Sequence, residues 1–137
     1  MSFDLLAAIP YAGLPIGVAV SLEMDRPLIY PRKMVKEYGT GKQVEGVWHV
    51  GQRLAVIEDL ITSGASVLQG AAILRAQGLV IEDAVVLIDR QQGGVENLAE
   101  AGIRAHAVMS MNHVLSILED HGRISSKTRR DVLRSLA

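Results

Sequence analysis

The sequence predicts an α/β fold, a mainly parallel sheet of about six strands with helices on both faces. Three observations carry this. Five short apolar runs recur along the chain, capped helical patterns lie between most of them, and one polar, glycine-containing stretch breaks the alternation. Runs that are apolar throughout suit strands buried on both faces, as a parallel sheet requires.

The elements follow in order. Phe3–Ile9 is the first apolar run, and Pro15 can open a helix running through Leu22. Leu28–Tyr30 and its neighbours form the second run. Residues 33–46 are polar, contain Gly39, Gly41 and Gly46, and keep neither helical nor strand period, so they read as a flexible loop of the functional kind. Val44–Trp48 lies too close to the second strand for a helical crossover, which predicts an antiparallel hairpin at the sheet edge. Leu54–Ile57 is the next strand, followed by a helix over Ser66–Gln77 that stops at Gly78. Ala84–Ile88 precedes a helix over Glu96–Ala101 closed by Gly102, and Ala105–Met109 is the last apolar run. Ser110 can cap a helix through Asp120, and Ser125 a final one within residues 123–137, with Val132, Leu133 and Leu136 on one side.

Composition narrows the function. With 137 residues, 49% of them apolar, the chain is expected to form a single domain, 1–137, with a core of its own. It has no cysteine, which excludes disulfides, thiolate metal sites and cysteine nucleophiles, and is compatible with a cytoplasmic location. No apolar stretch approaches the roughly 20 residues of a membrane helix. The net charge of −1 gives no field favouring nucleic acid, and Arg123, Lys127, Arg129, Arg130 and Arg134 read as a solvated helix face. His49, His106, His113 and His121 lack a paired metal-binding spacing, and Met109 and Met111 read as core.

The stretch from Leu54 to Ser66 carries the chemistry: a buried strand, two carboxylates Glu58 and Asp59, the turn Thr62-Ser63-Gly64, then Ala65 and Ser66 opening a helix. Backbone N–H groups at a helix start, with the positive end of its dipole, form an anion site. Thr62, Ser63 and Ser66 add hydroxyl donors, and Gly64 lets the backbone approach a phosphate closely. Carboxylates at the carboxyl end of the preceding strand stand about one sugar ring away, where acceptors suit a ribose diol. Acids and small-residue turns also end many strands that bind nothing, so the combination carries more weight than any one element.

This combination resembles the phosphoribosyl pyrophosphate (PRPP) signature of the type I phosphoribosyltransferases. Pro10–Ile16, then Arg32-Lys33 with Lys36-Glu37-Tyr38-Gly39, and Leu87–Gly94 with Asp89-Arg90, are similar to the orotate enzymes within that family. The resemblance spans Phe3 to about Ser126 and implies a three-layer phosphoribosyltransferase-type fold of strand order 3-2-1-4-5-6, strand 3 antiparallel. It implies transfer of phosphoribose to orotate with release of pyrophosphate. Glu58 and Asp59 would hold the ribose hydroxyls, and Thr62 to Ser66 the 5′-phosphate. Tyr11, Ala12 and Gly13 would cradle the pyrophosphate with Mg²⁺, itself held mainly by substrate oxygens. Arg32, Lys33 and Lys36 would neutralise pyrophosphate, partly across a homodimer interface, with Lys33, Lys36 and Glu37 as catalytic candidates.

Thr62 and Arg90 would contact orotate, although Arg90 beside Asp89 also suits a simple ion pair. Tyr38 and Ala12 stand where many members of the family have His and Lys. The chain starts at its first core strand, so the family's N-terminal hood over the base is expected to be lacking. The alternative expectation is a non-catalytic module that binds PRPP or a nucleotide.

Overall fold

The computed structural model describes residues 1–33 and 42–137. Six strands form one sheet in the order β3-β2-β1-β4-β5-β6. They are β1 (Leu5–Ala8), β2 (Leu28–Pro31), β3 (Val44–Glu45), β4 (Arg53–Ile61), β5 (Val80–Asp89) and β6 (Arg104–Ser110). Every pairing is parallel except β2 with β3, where Tyr30 faces Glu45 and Pro31 faces Val44. The antiparallel edge follows from the short connection, which leaves no length for a crossover. Lys36, Glu37 and Tyr38, in the expected 33–46 loop, lie outside the described residues.

Helices cover both faces. On one, α1 (Gly13–Met24) packs on Leu6, Ala55 and Ile57 through Ile16 and Val20. On the other, α2 (Ala65–Ala76) and α3 (Gly94–Glu100) bury Val67, Ala71, Leu74 and Leu98 against Leu5, Ala7, Val56, Ala84 and Val86. α1 starts two residues before the expected Pro15, at Gly13. The helices α4 (Met111–Asp120) and α5 (Ser126–Leu136) form the C-terminal hairpin, with Ser110 accepting the His113 N–H and Ser125 the Thr128 N–H as predicted caps.

Two strands depart from expectation in ways that matter. β4 continues four residues past Ile57 to Ile61, so Glu58 and Asp59 lie within the strand and not beyond it. β6 is an edge strand with little burial, and Val108 is 65% exposed. Its apolar composition suggests a doubly covered strand, yet α1 stops short of it.

Where three layers pack closely, glycine is required. A Cβ on Gly17 would lie 2.6 Å from that of Ala8, and one on Gly70 would lie 2.5 Å from Ile9 Cδ1. These two contacts bring α1 and α2 down onto β1 and set the depth of the crevice at its end.

Candidate active site at the ends of strands 1 and 4

The strand order reverses between β1 and β4, and in open α/β sheets ligands bind at such a reversal, outside the carboxyl ends of the strands. Here the reversal is also a step in height. β1 ends with Ala8 paired to Ile57, while β4 and β5 run on together to Ile61 and Asp89. The notch above β1 is filled by the loop from Ile9 to Ala12, anchored by Ile9 N–H donating to Ile57 O at 2.9 Å. The peptide between Pro10 and Tyr11 is cis.

The expected pyrophosphate loop therefore lies directly against the acid pair. A Cβ on Gly13 would lie 2.9 Å from Ile57 O and 3.3 Å from Glu58 Oε1. Glu58 is 5% exposed and its two oxygens are occupied: Oε1 accepts the Asp59 N–H at 3.1 Å, and Oε2 accepts the Ser66 hydroxyl at 3.0 Å. Burial pushes its carboxyl up to about 7, against the lowering effect of those donors. Asp59 is less buried and uses Oδ1 on the Leu60 N–H at 2.8 Å.

The Thr62–Gly64 turn is built from behind. Gly64 has φ 79, open to glycine, and begins α2. Gly94 lies against it so tightly that a Cβ there would stand 2.5 Å from Thr62 O and 3.2 Å from Gly64 N. Asn97 Nδ2 donates to Ser63 O at 2.9 Å. The Ser63 carbonyl thus faces α3 and is bonded there, while the first amides of α2 have no partner within the helix. Asn97 escaped the sequence reading because an Asn in mid-helix carries no signal of its own. Gly94 was visible only as one of a glycine pair.

The cations divide into two groups. Lys33 Nζ lies 4.8 Å from the centre of the Tyr11 ring, so this basic residue and the Pro10–Gly13 loop meet. Arg32 is instead ion-paired with Glu45 on β3, and its N–H donates to Gln43 O at 2.7 Å, which closes the base of the intervening segment. Ile9, Pro10, Arg32, Lys33, Ser66 and Gln69 are among the residues lining a cleft of ≈ 240 Å³ beside the crevice.

Thr62 and Arg90 come together at neighbouring strand ends, since Ile61 pairs with Asp89 and the Arg90 N–H donates to Ile61 O at 3.0 Å. The simple ion pair expected as an alternative does not form. Asp89 Oδ1 accepts the Gln91 N–H, and among the described residues Arg90 makes no salt bridge.

The strand-order reversal, the buried Glu58 beside Asp59 and the Thr62–Gly64 turn meet in one crevice, and the chain is similar in sequence and fold to known proteins. Uridine 5′-monophosphate synthase of Bos taurus is 40% identical over 134 residues, covering 98% of this chain and 28% of that protein. Orotate phosphoribosyltransferase of Cenarchaeum symbiosum is 39% identical over 130 residues, covering 95% of this chain and 65% of that one. The solved structure of Leishmania donovani UMP synthase superposes with a TM-score of 0.89 at 35% identity, over 99% of this chain and 29% of that chain.

This chain has orotate phosphoribosyltransferases and UMP synthases as its relatives, at 35–40% identity. It has the type I phosphoribosyltransferase fold, and it spans under two thirds of the single-function members and less than a third of the UMP synthases. No protein-family model matches it.

Proposed function

We propose that this chain transfers the phosphoribosyl group of PRPP to orotate, giving orotidine 5′-monophosphate and pyrophosphate in pyrimidine nucleotide synthesis. The observation that carries the proposal is the Glu58–Ser66 hydrogen bond, which joins the ribose-facing acid to the phosphate-facing helix start at 3.0 Å. Both halves of a ribose 5-phosphate then have partners on one rigid strand–turn–helix unit.

The 5′-phosphate takes the amides and hydroxyls of Thr62, Ser63, Gly64, Ala65 and Ser66, at the positive end of α2. Glu58 and Asp59 accept from the 2′- and 3′-hydroxyls. Pyrophosphate lies over Tyr11, Ala12 and Gly13, next to Lys33. The anomeric C–O bond breaks as orotate nitrogen approaches, and positive charge develops on the sugar while negative charge collects on pyrophosphate. Lys33, Lys36 and, once released from Glu45, Arg32 stabilise that leaving group, and positioning supplies most of the rest. Arg90 takes the orotate carboxylate with its two-pronged guanidinium, and Thr62 the ring. Glu37 is the candidate proton carrier.

Mg²⁺, when bound with PRPP, would neutralise phosphate charge beside Tyr11, Ala12 and Gly13. The active form is proposed to be a homodimer. Val18 and Leu22, one turn apart on α1, are 46% and 78% exposed, an apolar pair that a second copy would cover. No helix among the described residues is long and apolar enough to cross a membrane, and the proposed setting is the cytoplasm.

The test is loss of orotate absorbance on mixing the protein with PRPP, Mg²⁺ and orotate, with pyrophosphate measured in the same sample. Stoichiometric product is expected. Lys33→Ala should lower kcat by about 10²-fold, as removal of one donor to developing charge does elsewhere.

A further inference from the structure

Two glutamines beside Arg90 fasten its loop to the C-terminal helical hairpin. Gln91 has φ 61, a left-handed backbone rarely adopted by residues other than glycine. Two hydrogen bonds hold it there. Its N–H donates to Asp89 Oδ1 at 2.8 Å, and its side-chain Oε1 accepts the Asn112 N–H at 3.1 Å. Asn112 is the second residue of α4, where amides have no partner within the helix, and Ser110 already serves His113. The loop thus completes the cap of α4.

Gln92 reaches the far end of the hairpin, where its Nε2 donates to Leu136 O at 3.1 Å, a carbonyl in the last turn of α5. Arg129 locks the hairpin to itself, donating to Asn112 Oδ1 and to Glu119 Oε2, each at 2.9 Å. Arg90, Gln91 and Asn112 then line a cavity of ≈ 260 Å³ whose other walls are Leu133, Leu136 and Ala137. Arg90 is therefore bonded through its backbone to Ile61 at the end of β4 and walled on another side by the hairpin.

From this geometry we infer that the α4–α5 hairpin is a positioning element for Arg90, acting through Gln91 and Gln92, and sets affinity for the planar carboxylate-bearing base. The inference rests on the proposed role of Arg90 as partner of that carboxylate. A guanidinium binds two carboxylate oxygens only when its plane is fixed, so small displacements of its loop weaken the bidentate contact. PRPP affinity is set separately, because the phosphate turn is braced by Gly94 and Asn97 of α3.

The experiment compares Gln91→Ala, Gln91→Gly, Gln91→Asn and Gln92→Leu in the full chain. Each is measured for KM of orotate, KM of PRPP, kcat, and hydrogen exchange of a peptide containing residues 90–92. Gln91→Ala and Gln91→Gly should both raise the orotate KM about tenfold and leave the PRPP KM within about twofold. Exchange at residues 90–92 should quicken in both. Gln91→Asn keeps an amide and tolerates positive φ, so it should restore much of the loss. Gln92→Leu should move the same quantities in the same direction.

A Gln91→Gly protein with the wild-type orotate KM and exchange would overturn the inference, because it would show that backbone conformation alone matters. Equal rises in both KM values would overturn it too. If the wild-type protein makes no orotidine monophosphate, the proposed function fails, and the exchange measurement alone then decides whether the hairpin holds the loop.

Discussion

Glu58 is held between two opposing effects: burial among Ile57, Gly13 and the helix start raises its pKa, and two donors lower it, with burial the larger. Its folded pKa of about 7 exceeds the ordinary 4.5. The stability it contributes is therefore fully present below about 4.5 and is lost as pH rises through about 7. In the proposed PRPP complex binding runs the other way, because hydroxyls donating to Glu58 favour its ionised form. PRPP affinity should rise about tenfold from pH 6 to pH 8, beyond which the acid is ionised in the free protein. Phosphate groups of the ligand also titrate here, so the comparison is with Glu58→Gln, which should show a much flatter profile and greater stability than wild type at pH 8. A Gln protein with the same pH profile would mean that Glu58 does not titrate in the site. At Gly13 the prediction concerns space: Gly13→Ala places a methyl 2.9 Å from Ile57 O and should cost about 1–3 kcal/mol in thermal or urea unfolding, with weaker PRPP binding.

At the scale of elements, β6 is joined to the sheet by more than its ladder. Asp83 on β5, 3% exposed, accepts from Arg104 Nε at 3.0 Å and Nη2 at 3.1 Å, and lies 2.7 Å from His106 Nε2. The Arg104 guanidinium holds its carboxyl below the usual carboxylate range against the cost of burial. A lowered folded pKa gives stability that is present above the ordinary 3.8 and lost as pH falls through the folded value. Asp83→Ala should thus destabilise by about 1–3 kcal/mol at neutral pH, with the difference shrinking under acid conditions as measured by urea unfolding at pH 7 and pH 3. At the C-terminal hairpin, Ser125→Ala removes the cap on Thr128 N–H and should cost about 1 kcal/mol.

Across the whole molecule, what the sequence revealed was local pattern, and what it concealed was height and depth. Apolar runs located β1, β2, β4, β5 and β6, the short connection after β2 placed β3, and serine caps marked the starts of α4 and α5, because each signal lies within a few residues. The acid pair and phosphate turn were legible for the same reason: Glu58 to Ser66 is one continuous strand–turn–helix. The extension of β4 beyond β1 was not legible, since Glu58 and Asp59 end the apolar run although the strand continues through them. Nor was the pairing of Arg32 with Glu45, the brace of Asn97 on Ser63, or the reach of Gln92 to Leu136, which join residues 13, 34 and 44 positions apart. The exposed pair Val18 and Leu22 belongs to this scale as well. Sedimentation equilibrium should show a dimer, and Leu22→Glu should shift it toward monomer; a wild-type monomer at micromolar concentration would remove the proposed assembly.

The most direct test of the central claim, that β4 and its turn form a PRPP site, is calorimetric titration of Mg²⁺–PRPP into the wild-type protein and into Asp59→Ala. The account predicts saturable one-site binding to the wild type and at least about tenfold weaker binding to the variant, equivalent to about 1.4 kcal/mol. Equal affinity in the two proteins, or no binding to the wild type, would contradict it.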